Sequence, residues 1–406
     1  MLARSWSASS TSEGRRRVSS KAFDTGSTTM RTSVRAAIAL VTTGLAASLL
    51  AAPATAAGEV IVPGTPTVTG RAQYEGTLTA VPGTWAPSGV VLSYQWLRDG
   101  TPVGTSSPAN VTRRLSSTND IGRTYAVRVT AALTGADPAS ATSAATRPVA
   151  KGTITNTVRP TVTGSSKYGR RLTGSPGSWS RSASYGYRWL RNDRPISGAT
   201  GRHYTVGPSD VGAKIRFRVT ARRAGYSTVT ARSTARTGKH VRSVRKVVTY
   251  RVATRGSIKA SLSTFKRQAQ ETYDDPRGWR AMGVRFKRVS KGGDFTLVLS
   301  QASKVPSFSS ACSTTYSCRV GRNVIINQTR WLKASPAWKA RKGSVRSYRH
   351  LVVNHETGHW FGRGHATCGG RGQAAPVMQQ QSKGLAGCRI NPWPKKSELH
   401  APRYGW

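Results

Sequence analysis

Two histidines four residues apart, in the run His355-Glu356-Thr357-Gly358-His359, are the residues of this chain best placed to do chemistry. On a helix that spacing puts both imidazoles on one face about one turn apart, close enough to share a single ion. Glu356 is displaced around the helix from His355, which sets its carboxylate beside the ion, where a general base for a metal-activated water must stand. Gly362, three residues after His359, can take the positive φ that stops a helix and turns the chain back. His365 then returns as a third ligand. Three neutral imidazoles leave a fourth position open, the arrangement of a catalytic zinc. Zinc would acidify a water, Glu356 would take its proton, and the ion would polarise a scissile carbonyl. The plainer readings are a helix with solvated histidines and a metal site that has lost catalysis. Zinc suits the donors best, although cobalt or another divalent ion could replace it in vitro.

A helix carrying this run is expected from about Ser344 to Phe361. Upstream, Val247–Ala253 reads as a strand, and Ser257 as the N-cap of an amphipathic helix ending near Tyr273. Further strands are expected at Gly283–Val289, Phe295–Leu299 and Val324–Asn327, followed by a long polar connection rich in Trp, Lys and Ser. Residues 247–406 thus form an α+β or α/β unit with the chemistry on a late helix.

Ahead of it the chain repeats itself at a shift near 94 residues. Pro66-Thr67-Val68-Thr69-Gly70 recurs at 160–164, Pro82-Gly83-Thr84-Trp85 as Pro176-Gly177-Ser178-Trp179, and Tyr94-Gln95-Trp96-Leu97-Arg98 as Tyr187-Arg188-Trp189-Leu190-Arg191. Asp120-Ile121-Gly122 is answered by Asp210-Val211-Gly212. Short alternating segments between Pro, Gly and Asp turn signals predict an antiparallel sandwich for each copy, residues 57–150 and 151–238, with a basic linker at 239–246. The copies resemble the cysteine-free immunoglobulin-like modules found in tandem on secreted bacterial enzymes. That likeness implies spacers or binders of wall polysaccharide.

The motif followed by Pro376-Val377-Met378 resembles the metzincin zinc-peptidase pattern with its Met-turn. More closely, Val353–Trp360, Ala375-Pro376-Val377-Met378-Gln379-Gln380-Gln381 and Asn391-Pro392-Trp393-Pro394 resemble a secreted actinobacterial metzincin-like family catalogued as a domain of unknown function. The resemblance implies His355, His359 and His365 as zinc ligands, Glu356 as base and Met378 packed beneath the metal. It also implies a peptide bound extended along an edge strand. Some metzincins place a Tyr just after the Met; here Gln379, Gln380 and Gln381 stand there, so that partner is missing. The expected fold class is therefore multidomain: two all-β immunoglobulin-like sandwiches and an α+β metzincin-like zinc-peptidase domain.

Export is expected from Ala36–Ala52, an apolar run after Arg31 and Arg35 and before Ala54-Thr55-Ala56, which reads as a signal peptide. Residues 1–56 would be an extension plus leader, with Met30 a second candidate start, and no membrane span would remain after cleavage. In an oxidising compartment Cys312, Cys318, Cys368 and Cys388 suggest two disulfides. Pairing Cys312 with Cys318 and Cys368 with Cys388 closes the shortest loops; the other two pairings and a four-cysteine zinc site stand as alternatives.

Lys and Arg number 63 against 15 Asp and Glu, a net charge of +48. The excess is +3 over residues 64–150, +14 over 158–238 and +25 over 240–406. With 11 Trp and 13 Tyr among β-branched residues, this is no disordered basic tail. Export and the absence of a reading motif argue against specific nucleic-acid binding and for anionic cell-wall polymers as partners. The sequence thus predicts a secreted or wall-associated monomer that hydrolyses peptides or proteins. Peptidoglycan cross-peptides are an alternative substrate, and a non-catalytic envelope-binding protein an alternative function. Asn354 reads as a helix tether or a surface residue, His350 as a surface residue, and Asp274-Asp275 as a turn; His203, His240 and His400 have no partner pattern.

Overall fold

The computed structural model describes residues 59–406. The expected leader at 1–56 lies outside them. Among the described residues no helix is long and apolar enough to cross a membrane.

Each repeat folds as a β-sandwich. In the first, Thr67–Gly70, Thr77–Val81 and Thr112–Arg114 form one sheet, and Thr101–Pro102, Val91–Arg98, Tyr125–Leu133 and Ala136–Thr142 the other. Side chains alternate between faces, so Leu78 and Ala80 meet Trp96, Val127 and Val129 in one core. The second copy repeats the plan around Trp189, Leu172 and Phe217. The recurring aspartates close a corner in each copy: Asp120 accepts from the Tyr125 hydroxyl at 2.6 Å, and buried Asp210 from Arg191 Nε at 2.6 Å. Part of the basic stretch after 235 joins the second sandwich, where Arg236–Thr237 pairs with Lys214–Ile215.

The last domain, its elements numbered from its own start, has a five-stranded sheet. The strands are β1 (Lys246–Arg255), β2 (Val284–Arg288), β3 (Phe295–Ser300), β4 (Cys318–Val320) and β5 (Asn323–Asn327), in the order β2-β1-β3-β5-β4. All neighbours are parallel except β4, an antiparallel edge strand on β5. β3, Phe295-Thr296-Leu297-Val298-Leu299-Ser300, is buried at every position, as a central strand covered on both faces must be. The helices are α1 (Leu262–Asp274), α2 (Gln328–Lys333), α3 (Pro336–Ala340) and α4 (Val345–Trp360). Phe265 and Tyr273 of α1 and Trp360 of α4 share one core with the inner strands.

Two local expectations fail. Ser257 does not cap α1: its amide and carbonyl are taken by the side chains of Gln301 and Gln328, and Ser261 caps the helix by accepting from the Thr264 amide. The stretch expected to be a polar connection contains α2 and α3, because Trp331 and Trp338 are fully buried and pull it onto the core. Disulfides join Cys312 to Cys318 and Cys368 to Cys388. The second spans the largely irregular segment after α4, where little regular structure holds the chain.

Candidate metal centre

α4 is capped by Ser344, whose hydroxyl accepts from the Ser347 amide, and ends one residue before Phe361. Gly362 then takes φ 92°, while the Arg363 amide reaches back to the Gly358 carbonyl at 3.1 Å. That is a glycine-terminated helix end, and it turns His365 toward the two helical histidines. Nε2 of His359 lies 3.2 Å from Nε2 of His355 and 3.2 Å from Nε2 of His365. Tetrahedral zinc with Zn–N bonds of about 2.05 Å places its donors roughly 3.3 Å apart. The spacing therefore fits a zinc ion.

The hydrogen bonds behind the rings select the protonation state. His355 Nδ1–H donates to the Val377 carbonyl at 2.8 Å, and His359 Nδ1–H to the Arg363 carbonyl at 2.8 Å. A neutral ring that donates from Nδ1 turns its Nε2 lone pair outward, so lone pairs face one another across 3.2 Å. Such convergence is repulsive unless a cation sits between them. Burial, with help from the neighbouring His359, pushes the His355 imidazole down to about 3. Burial also lowers His359 and His365. Neutral imidazole is the form that binds metal. His365 is exposed, so the centre opens to solvent.

Glu356 is 6% exposed and lines the same cavity of about 380 Å³ as the three histidines. Burial pushes its carboxyl up to about 8, opposed by the charge of Arg319. A cation at the histidines would favour the carboxylate.

Below the helix, Met378 is fully buried. The segment around it sets two ligands at once, since Val377 holds the His355 ring and the Met378 carbonyl accepts from the Ala366 amide, beside His365, at 3.1 Å. Glu398 fixes that segment. Its carboxylate accepts from the amides of Val377 and Met378, each at 2.9 Å, and of Lys395 at 2.8 Å. Asn391 adds a second clamp through Ala375 O and the side chain of Gln381. Asn354 is fully buried and tethers α4 to the Pro392 carbonyl at 2.9 Å.

His350 is not a surface residue. It is half-buried between Thr272 and the ring of Trp393, because α1 packs over that side of α4. Of the pair expected to form a turn, Asp274 is instead the last residue of α1, and only Asp275 turns the chain, its carboxylate accepting from the Arg277 amide at 2.9 Å. His203 and His240 lie away from the centre, and His400 sits beside Arg363. Sequence reasoning missed Glu398, Gly358 and Arg319. In a domain so poor in acids, an isolated Glu398 was itself a signal; the other two had none, because a tight contact and a cavity wall have no pattern along the chain.

Fold and site together define a multidomain, β-rich chain whose last domain brings three histidines and a buried glutamate to one cavity. Residues 218–395, less than half the chain, match a family described as "Protein of unknown function (DUF3152)". The match takes in the three histidines, Glu356 and Met378 and stops short of Glu398. No curated protein matches the chain. Among solved structures, it is similar to three N-terminal domains of the bacteriophage RB49 Highly Immunogenic Outer Capsid protein (15% identity, TM-score 0.22, 46% of this chain and 64% of that one). It is also similar to the amphioxus IgVJ-C2 molecule (15% identity, TM-score 0.20, 43% and 97%) and to murine CEACAM1b (12% identity, TM-score 0.20, 42% and 96%). Likenesses at these TM-scores carry no conclusion about this chain.

Proposed function

We propose that the chain is a secreted, zinc-dependent metalloendopeptidase with a metzincin-like catalytic domain, carried behind two immunoglobulin-like modules that hold it on anionic cell-wall polymers. The observation that carries this reading is the convergence of three Nε2 atoms at 3.2 Å beside a buried, otherwise unengaged glutamate. His355, His359 and His365 would hold the ion. Zinc, when bound, supplies Lewis acidity that polarises the scissile carbonyl and acidifies a water. Glu356 takes a proton on its carboxylate and returns it to the leaving amine. Val377 and Arg363 keep the two helical rings in the donating tautomer throughout. The edge strand β4 offers free backbone groups along which an extended peptide can pair. Peptides of the cell wall are a second substrate class, favoured by a net charge of +48 that concentrates the protein on polyanions.

The test is metal content and cleavage of a broad peptide library by the purified, oxidised chain, beside Glu356→Ala and with a chelator. One zinc per chain and turnover that both treatments abolish is the expected result. A folded protein without zinc would refute the proposal; bound zinc without turnover would leave a binding role.

A further inference from the structure

The cavity above the histidines holds two polar side chains for which the proposed chemistry has no use. Arg319 projects from the edge strand β4 into the cavity wall. It forms no ion pair among the described residues, and its buried Nε has no hydrogen-bond partner. In the turn after Met378, Gln379 is 6% exposed, lines the same cavity, and has a buried Oε1 without a partner among the described residues. Leaving such groups unpaired is costly, so a substrate group that satisfies both is the natural occupant.

Charge narrows the choice. The acidic and basic lining residues besides the histidines are Arg319, Lys383 and Glu356. Lys383 is partly engaged, with Nζ 3.4 Å from Gln380 Oε1 and 5.8 Å from the Tyr316 ring centre. Among the described residues Arg319 is therefore the free cation of the wall. A planar guanidinium and an amide lining one cavity suit a carboxylate, which can accept from both. The amide of Gln379 can turn its NH₂ toward that ligand, since its two ends are interchangeable in shape.

We propose that Arg319, supported by Gln379, is a specificity-determining residue that binds a substrate carboxylate next to the scissile bond. The cleft thus selects peptides bearing an acidic side chain or a free carboxyl terminus there. This rests on the peptidase reading for its scissile bond but not for its binding. Charge-assisted hydrogen bonds of this kind are worth roughly ten- to a hundredfold in affinity.

The experiment has two arms on the full oxidised chain. In the first, anisotropy measures binding of labelled peptide sets, with Glu or Gln fixed at each position in turn, to zinc-loaded Glu356→Gln protein, alone and combined with Arg319→Gln or Arg319→Lys. Melting curves verify that every variant is folded. In the second, kcat/KM is measured for the same peptides with Glu356 intact. Expected is a preference of about tenfold or more for Glu over Gln at one position, abolished by Arg319→Gln and partly kept by Arg319→Lys. Equal binding of Glu and Gln peptides, or a preference that survives Arg319→Gln, overturns the proposal. Acid-selective binding that depends on Arg319 but comes without turnover supports the carboxylate site while removing the peptidase reading. Cleavage that is indifferent to Glu against Gln does the reverse.

Discussion

Gly358 stands between the two helical histidines, and its missing side chain is what lets Met378 lie beneath them. A Cβ built there would meet Met378 Sδ at 2.3 Å and Trp279 Cζ2 at 2.9 Å. Ordinary carbon contacts are about 3.5–4.0 Å, so the sulfur would have to retreat by more than about 1 Å. Neither neighbour has room, since Met378 and Trp279 are buried to within 2% and Trp279 Nε1 is held by the Asn354 carbonyl at 3.0 Å. Glycine to alanine inside a helix would by itself stabilise by about 1 kcal/mol. Overpacking of this severity costs about 3 kcal/mol. Gly358→Ala is therefore expected to lose about 2 kcal/mol net. It should also loosen zinc by about tenfold or more, because the displaced Met378 adjoins Val377, which orients His355. Urea unfolding of the metal-free protein and competition against a chelator measure the two effects. In a Met378→Ala background the sulfur is gone and only the Trp279 contact remains, so the same substitution should be clearly less costly, a coupling that a double-mutant cycle isolates. A Gly358→Ala protein that is more stable than wild type and binds zinc equally well would refute the packing argument.

Glu398→Gln should cost about 2 kcal/mol and weaken zinc 10- to 100-fold, because one carboxylate serves three amides behind the ligands; unchanged zinc affinity would show that the Met378 segment holds itself. In the metal-free protein the contribution of Glu356 to stability should fall as pH rises, against the opposite trend of the buried histidines. Glu356 goes from an ordinary 4.5 up to about 8 on folding, so the folded state holds an extra proton between those values. The stability contributed by neutral Glu356 is complete below the lower value and is lost as pH climbs through the higher. The slope is at most about 1.4 kcal/mol per pH unit. Urea melts from pH 5 to 9 should show wild type falling behind Glu356→Gln toward the alkaline end, and a constant gap would contradict the burial of the carboxyl.

Periodicity and spacing make some parts of this molecule legible and leave others silent. The two sandwiches could be read because alternating residues repeat with their turn signals, down to Asp120 and Asp210. His355, His359, Gly362 and His365 could be read because helix geometry turns sequence spacing into spatial convergence. Ser257 misled because a serine ahead of an amphipathic run looks the same whether or not its backbone is already bound; Gln301 and Gln328, far along the chain, decided that. Trp331 and Trp338 sit in segments too short and too basic to show an apolar face. Glu398 and Arg319 act across tertiary contacts, and no local pattern announces those.

The order of the parts along the chain has a consequence for synthesis. His355 and His359 leave the ribosome before the carbonyl of Val377, and Val377 before Glu398, which locks it. Chains grow from the N-terminus and fold as their pieces appear. A nascent chain stalled or cut anywhere between Arg363 and Glu398 thus carries the helical histidines without the frame that aims them. The ligand set is aimed only once Glu398, well after His365 along the chain, has been made.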